Sequence, residues 1–205
     1  MLIVMGLSNL LKSVFGASST MSGLQKAVKD AGLSALAQAG RSAKSVTLPS
    51  LPSTLAELQA MPAAGLTDEY AVTALAVAVL CNYEHDSAET FRMMDFLRGP
   101  RPLNGASQQF IRDRLKGRSY IIRSYLKGAT PDNNYTPATP YTVEISENSN
   151  SRAEQGYVKL FVRSSGADSP RPVTLRQRPS TGQWFVWQMS LLTDVRQPKE
   201  NDPWA

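Results

Sequence analysis

Alternating apolar and polar positions mark the last third of the chain. Residues 158–162, 172–176 and 183–187 each place every second side chain on one face, as the residues of a β-strand do. Clusters rich in Gly, Pro and Ser separate these runs at residues 164–170 and 178–182, where they favour turns. The pattern therefore predicts an antiparallel sheet at this end of the chain.

Two further segments complete the predicted sheet. Residues 141–146 follow a loop rich in Pro and Asn and are assigned to a strand. Residues 120–126 are ambiguous, because their β-branched and aromatic content favours a strand whereas their length also permits a helical turn. We assign this segment to a strand as well, which gives about five strands.

Helical patterns precede the sheet. Residues 67–69 supply a cap and two acids ahead of residues 70–81, which are apolar on nearly every side and predict a helix that is covered all round. A second helix is expected from Ser87 to a stop at Gly99, and a third begins near Ser107, which we expect to cap it. The third helix carries Phe110, Ile111 and Leu115 on one face and ends at 116–117.

This order of elements predicts an α+β fold, in which about three helices pack on a carboxyl-terminal antiparallel sheet of about five strands. The cone-like folds of the nuclear-transport-factor and cystatin type have a similar layout, with a curved sheet wrapped around helices. Such folds occur in binding proteins and in enzymes, so the architecture alone does not indicate an activity.

The first 54 residues differ in composition from the rest. Gly, Ala and Ser are frequent from residue 6 to residue 44, and the prolines of residues 48–53 indicate an extended linker. We therefore expect a helical arm and linker over residues 1–54 and a core domain over residues 55–205. Five apolar residues at helical spacing form one side of an amphipathic helix in this arm: Leu7, Leu10, Leu11, Val14 and Phe15. Such a stripe predicts docking on a protein partner, on a second copy of the chain, or peripherally on a membrane.

The positive charge is concentrated in the amino-terminal part. The formal net charge is +5, of which residues 1–60 contribute +3 from five Lys and Arg against two acids. The remaining residues have 17 Lys and Arg against 15 acids, without a dense basic cluster in the sequence, so nucleic-acid binding is disfavoured. No apolar run reaches the length of about 20 residues that a spanning helix needs. With a single cysteine, the composition favours a cytoplasmic protein.

Few catalytic arrangements are compatible with one cysteine and one histidine. Cys81 completes the apolar helix pattern and is expected to pack as a small hydrophobic residue. His85 lies between Glu84 and Asp86, but no second histidine can share a metal ion with it. We therefore predict no catalytic residue, metal ligand or cofactor, and we expect a non-enzymatic interaction or scaffold module. The alternative is a small-ligand-binding or hydrolytic protein with a pocket in a cone-like fold.

The loop at residues 164–171 is a candidate for ligand recognition. Gly166 would allow a close approach to the backbone, while flanking arginines would grip a carboxylate or phosphate. The structural alternative is that Asp168 caps the turn and that Arg171 pairs with Asp168 or Asp194. The ligand-binding candidates are Arg123, Arg163, Gly166, Asp168 and Arg171.

Two tryptophans in the last predicted strand have different expected roles. Trp184 and Trp187 are three positions apart, so a strand directs them to opposite faces. One should anchor the core, which leaves Trp187 as a candidate contact residue for a partner.

Several short motifs lie along the core region. They are Arg-Ser-Tyr at 123–125, Gly-Ala-Thr-Pro-Asp-Asn-Asn-Tyr-Thr-Pro at 128–137, Ser-Gly-Ala-Asp-Ser-Pro-Arg at 165–171, Gly-Gln-Trp-Phe at 182–185 and Asp-Pro-Trp-Ala at 202–205. Together they resemble an uncharacterised domain family of bacterial proteins over residues 66–205. The resemblance implies a shared domain and carries over no catalytic residue.

Overall fold

The computed structural model of the chain describes residues 43–203. It has an α+β fold, which confirms the predicted class. The strands are β1 (Ala43–Leu48), β2 (Tyr141–Ser146), β3 (Tyr157–Val162), β4 (Arg171–Gln177) and β5 (Trp184–Met189). The α-helices are α1 (Leu55–Ala60), α2 (Glu69–Cys81), α3 (Ser87–Arg98), α4 (Gly105–Leu115) and α5 (Tyr120–Arg123). Short 3₁₀ turns occur at Pro62–Gly65, Pro131–Asn133 and Lys199–Asn201.

The five strands form one open antiparallel sheet in the order β1-β2-β3-β4-β5. Strands β2 to β5 form a meander at the predicted positions, because turn residues separate segments whose buried faces alternate with period two. The number of strands agrees with the prediction, but one member differs. The fifth strand is β1, and residues 120–126 do not form a strand.

The assignment of residues 120–126 to a strand is wrong because the two adjacent isoleucines are buried together. Ile121 and Ile122 are both 0% exposed, whereas a strand would direct them to opposite faces. The backbone instead forms the short helix α5, with Arg123 N donating to the Ser119 carbonyl at 3.1 Å. Only Leu126 makes an isolated bridge to the sheet.

Residues 43–48 belong to the sheet, whereas composition had placed them in the arm and linker. All six residues of β1 pair with β2, from Ala43 opposite Ser146 to Leu48 opposite Tyr141. Leu48 is the only fully buried residue of this strand. An edge strand with one buried side chain has little apolar pattern, which explains the difference from the prediction.

Helix α1 is an element that the hydrophobic pattern did not indicate. Thr54 caps it by accepting a hydrogen bond from Glu57 N at 3.2 Å, and the Glu57 carboxylate accepts one from Ser53 N at 2.7 Å. These contacts resemble a capping box, which satisfies backbone donors at the start of a helix.

Helix α2 is the centre of the core, as its apolar sequence predicts. Asp68 caps it by accepting hydrogen bonds from Tyr70 N and Ala71 N. Its residues 72–80 are all buried. The sheet meets this core with a layer of side chains that are at most 1% exposed: Val143, Ile145, Val158, Leu160, Val173 and Leu175. Hydrophobic side chains thus fill the space between α2 and the sheet.

Helix α4 begins earlier than predicted, and Ser107 is not its cap. Asn104 caps the helix, and its side-chain oxygen accepts a hydrogen bond from Ser107 N at 2.8 Å. Ile111 and Leu115 are buried, but Phe110 is 50% exposed and so does not share their face. Among the large hydrophobic side chains of residues 43–203, Phe110 is the one that is exposed.

Candidate interaction surface

The loop predicted to bind a ligand is tied to the rest of the core by a chain of hydrogen bonds. The Ser124 hydroxyl donates to the Ile121 carbonyl at 2.7 Å and lies 2.8 Å from the Ser164 hydroxyl. Because Ser124 already uses its proton, Ser164 is the donor between the two hydroxyls. Ser164 in turn accepts a hydrogen bond from Gly166 N at 3.2 Å. Both buried serines therefore have partners within the protein, and the loop is fixed to the end of α5.

Gly166 leaves room for a protein side chain. A Cβ at this position would overlap the Tyr135 hydroxyl oxygen and would lie 3.0 Å from Val195 Cβ. Tyr135 is fully buried, and its hydroxyl donates to the Arg196 carbonyl at 2.6 Å. The close approach that the sequence indicated at Gly166 is therefore made by Tyr135. The motif at 128–137 and the motif at 165–171 meet at this contact.

The charged candidates of this loop have partners on different elements. Arg163 is exposed and pairs with Glu144 of β2 at 3.6 Å. Asp168 pairs with Arg196. Arg171 donates to the backbone carbonyl of Asp194 at 3.3 Å, so it approaches Asp194 through its backbone. Arg123 is exposed at the end of α5. Its positive charge lowers the pKa of the Cys81 thiol, against the larger and opposite effect of burial. A ligand-binding role for these residues remains a prediction.

A different surface is formed where α3 ends against β5. Gly99 ends α3 with φ 58°, and a Cβ at this position would overlap the ring of Phe185. Glycine thus allows the turn after α3 to lie directly on β5. The Asp95 carboxylate accepts a hydrogen bond from Leu103 N at 2.7 Å, which fixes the turn. Arg101, within this turn, is thereby held beside β5.

Trp187 lies on β5 at a β-bulge. The register shifts between Thr174 and Leu175, whose partners on β5 are Gln188 and Val186. Trp187 is therefore the extra residue of β5, and a bulge of this kind changes the direction of a side chain. Trp184 is 8% exposed and belongs to the core, whereas Trp187 is only partly buried and lies on the other face. The two tryptophans occupy opposite faces, as their spacing predicts.

The Trp187 ring is in contact with two arginines and a tyrosine. The guanidinium carbons of Arg101 and Arg176 lie 4.3 Å and 5.0 Å from the ring centre. Tyr157 meets the ring edge-on at 5.8 Å. Each cation–π contact at a partly exposed site contributes about 0.5–1 kcal/mol. Because both cations approach one ring, their charges lie within about 9 Å of each other, a separation at which physiological salt screens them only partly.

These side chains border a groove of about 210 Å³ that we call the basic groove. No carboxylate of the described part of the chain lines this groove. Its charged lining residues are four arginines: Arg98, Arg101, Arg176 and Arg178. None of the four forms an ion pair with a carboxylate of residues 43–203. Arg98 is partly buried, with Nε donating to the Arg101 carbonyl at 3.1 Å. Burial, together with the positive charge of Arg101, lowers the pKa of Arg98, and the charge of Asp95 partly opposes this shift. The groove is therefore a site of concentrated positive charge without an ion-paired carboxylate.

A second groove of about 420 Å³ adjoins the first and is called the apolar groove here. It lies between β5 and α4, and it shares Arg98 and Trp187 with the basic groove. Apolar side chains form much of its lining: Leu103, Phe110, Ile111, Met189 and Leu192. Arg98 and Trp187 thus separate a basic region from an apolar region on one continuous surface.

The single histidine and the single cysteine of the chain do not line either groove. His85 is exposed in the turn between α2 and α3. Burial raises the pKa of the Cys81 thiol to about 12, which keeps the thiol protonated at neutral pH. Within residues 43–203 no group of three or more His, Cys, Asp or Glu residues is placed to hold a metal ion.

Of the residues that line the two grooves, the sequence indicated only Trp187 as a candidate contact residue. The four arginines come from the turn after α3 and from the end of β4, which lie more than seventy positions apart in the chain. Two short signals were available: Arg98 and Arg101 flank a Gly-Pro turn, and Arg176 and Arg178 are two positions apart. Neither is a dense basic cluster by itself, so the cluster exists only in the folded chain.

The predicted contact residues of the arm, Leu7, Leu10, Leu11, Val14 and Phe15, lie outside the described residues. Among the helices of residues 43–203, none combines the length and the apolar character needed to cross a bilayer.

Comparison with known proteins supports the family resemblance. Residues 50–199 match a family described as a domain of unknown function (DUF6935). Neither a curated protein nor a solved structure matches the chain. The matched region extends from the residues just after β1 to the final 3₁₀ turn and includes both grooves. Because it covers more than half of the sequence, the chain belongs to this family of domains of unknown function.

Proposed function

We propose that the protein is a non-enzymatic interaction module that binds a segment of another protein on the surface formed by the basic and apolar grooves. The observation that supports this proposal is the pair of partly exposed aromatic residues, Trp187 and Phe110, which line one groove of about 420 Å³. Aromatic side chains that line a groove are frequent anchors in protein interfaces. A lone cysteine is compatible with a reducing compartment, so the proposal places the protein in the cytoplasm.

The amino-terminal arm is proposed as a second point of attachment. Its apolar stripe would fold against a protein partner, a sister subunit or a membrane surface when it docks. Replacing Leu10 and Phe15 by Ser in the full chain should reduce an association detected by light scattering or by flotation with liposomes. An association that is unchanged by these substitutions would exclude a contribution of the arm.

The rival proposal, a small-ligand or hydrolytic pocket inside a cone-like fold, has less support. Such a pocket requires open space between the sheet and the helices, with polar groups directed into it. Residues 72–80 of α2 and the facing side chains of the sheet are buried against one another in that position. The packing argues against this alternative.

The main test is selection of random 12-residue peptides displayed on phage against the full-length protein. We expect peptides that bind the wild type and that bind Phe110→Ser at least about tenfold more weakly, because an anchor in a groove often contributes more than 1.4 kcal/mol. Val46→Thr is the matched control, since it makes an apolar residue polar on β1, at the opposite edge of the sheet. Selected peptides that bind Phe110→Ser as well as wild type, or the absence of any selected peptide, would refute the proposal.

A further inference from the structure

We infer that the basic groove recognises acidic side chains, and that the partner is therefore a protein segment in which Asp or Glu residues flank an apolar anchor. This inference rests on the proposed function and adds the chemistry of the partner. The anchor would enter the apolar groove next to Phe110, while the acids would meet the four arginines on the other side of Arg98 and Trp187.

Charge complementarity is the first argument. Four guanidinium groups line about 210 Å³, and neither the lining nor the ion pairs of residues 43–203 supply a carboxylate for them. Several other exposed arginines of the core are paired, such as Arg92 with Glu89 and Arg152 with Glu147. Arginine presents a planar fork of donors that matches a carboxylate, and bidentate pairs of this kind are strong and specific.

Three of the four arginines are held in position before any ligand binds. Arg101 and Arg176 both lie on the Trp187 ring, and Arg98 donates to the carbonyl of Arg101. Side chains held in this way lose less conformational freedom on binding than free arginines do. The aromatic contacts thus orient guanidinium groups and leave their N–H donors available to a carboxylate.

A protein segment fits the surface better than a nucleic acid does. A single strand of nucleic acid needs cations along its whole path, because each nucleotide carries a phosphate. Here three of the four arginines line only the smaller groove, and the larger groove next to it is lined mainly by apolar residues such as Leu103 and Met189. Residues 1–42 of the chain are also poor occupants, because four Lys and Arg against one Asp give them a net charge of +3, which opposes docking beside four arginines.

The test uses full-length protein and four fluorescein-labelled probes, with binding measured by anisotropy at physiological salt. The first probe is a 12-residue peptide with Leu-Phe-Leu at its centre and Glu and Asp on both sides. The second has Gln and Asn in place of these acids, the third has Lys, and the fourth is a 12-nucleotide oligothymidylate. We expect the acidic peptide to bind at least about tenfold more tightly than each of the others, since charge-assisted hydrogen bonds are roughly twice as strong as neutral ones.

Substitutions locate the effect. Arg101→Gln and Arg176→Gln should each weaken binding of the acidic peptide by about five- to tenfold. Binding of the peptide with Gln and Asn should not change. Arg178→Gln repeats the measurement without removing a contact of the Trp187 ring. Arg92→Gln is the matched control, because it removes the same charge from an exposed arginine that pairs with Glu89 and lines neither groove. Thermal melting of each variant confirms that it is folded.

Four results would overturn the inference. Equal binding of the Gln and Asn peptide would show a groove that recognises only the apolar anchor, which leaves the proposed function intact. Tighter binding of oligothymidylate would indicate a nucleic-acid surface. An equal loss in Arg92→Gln would indicate diffuse attraction by the whole protein. If no probe binds but peptides are still selected from the random library, the acidic partner is refuted and the proposed interaction module is retained.

Discussion

Replacement of Gly166 by Ala should destabilise the protein, because the position is closed by the Tyr135 hydroxyl. The backbone cannot move away from Tyr135 without breaking a hydrogen bond. Arg196 N donates to the Gly166 carbonyl at 2.9 Å, and the Arg196 carbonyl accepts the proton of Tyr135 at 2.6 Å. One residue thus connects Gly166 to the hydroxyl that a Cβ would overlap. Overpacking of this kind costs about 1–3 kcal/mol.

Double-mutant analysis tests whether the hydroxyl is the obstacle. Tyr135→Phe alone should cost about 1 kcal/mol, the usual contribution of one hydrogen bond. In the presence of Tyr135→Phe, the methyl group that Gly166→Ala introduces faces only the ring, whose nearest carbon is 3.1 Å away, and Val195 Cβ at 3.0 Å. These neighbours must shift by a few tenths of an ångström at most. The double variant should therefore be more stable than the sum of the two single effects by at least about 1 kcal/mol.

The assay is urea unfolding of the full chain, followed by tryptophan fluorescence. With an m value of about 2 kcal/mol/M, a loss of 2 kcal/mol lowers the midpoint by about 1 M. Gly105→Ala is the matched control, because a Cβ at Gly105 meets no atom within 4 Å. Gly105 lies at the start of α4, so this substitution should stabilise the protein by up to about 1 kcal/mol. The reasoning fails if Gly166→Ala is as stable as Gly105→Ala, or if the effects of Gly166→Ala and Tyr135→Phe are additive.

Two further predictions concern the cap of α4 and the response to alkali. Asn104→Ala should cost about 1 kcal/mol of unfolding free energy in thermal melts, whereas Ser107→Ala should change it by less than about 0.5 kcal/mol; a larger effect at Ser107 would contradict the observed cap. Burial, the larger cause in both cases, raises the pKa of Tyr70 and of Tyr135 to about 12, with the Glu147 carboxylate adding to the effect at Tyr70. Unfolded tyrosines ionise near pH 10. The contribution of these two tyrosines to the free energy of unfolding should therefore be fully present below about pH 10 and should be lost between about pH 10 and pH 12. Urea unfolding at a series of pH values measures this, and Tyr135→Phe should flatten the decrease; a profile that stays level up to pH 11 would refute the prediction.

The sequence was sufficient for elements whose signal is local. Helix α2 and strands β2 to β5 were predicted because their apolar periods and flanking turn residues lie within a few positions of each other. The signals for α1 were also local, since Thr54 and Glu57 form its cap, but they are polar and leave no apolar pattern. Tyr120–Arg123 shows the opposite case, in which β-branched composition indicated a strand and burial of both isoleucines selected a helical turn.

The interaction surface could be predicted only in part. Trp187 followed from alternation along one strand, because the face of a side chain is a local property. Its arginine neighbours did not follow, because Arg101 and Arg176 meet only after the turn at Gly99 packs on Phe185. The loop around Gly166 illustrates the same limit. Its small residues indicated a close approach, but the sequence did not reveal that Tyr135 makes that approach.

The pairing of β1 with β2 has a consequence for the order in which the domain folds. Thr47 and Thr142 are joined across the two strands although they are 95 positions apart, whereas Ser146 and Phe161 in the next pair are separated by only 15. Closing the longer loop costs about 1.6 kcal/mol more in chain entropy. We therefore expect the hairpins of the meander to assemble first and the amino-terminal strand to dock last. Pulse-labelling hydrogen exchange during refolding would show the amides of β1 protected after those of β3 and β4.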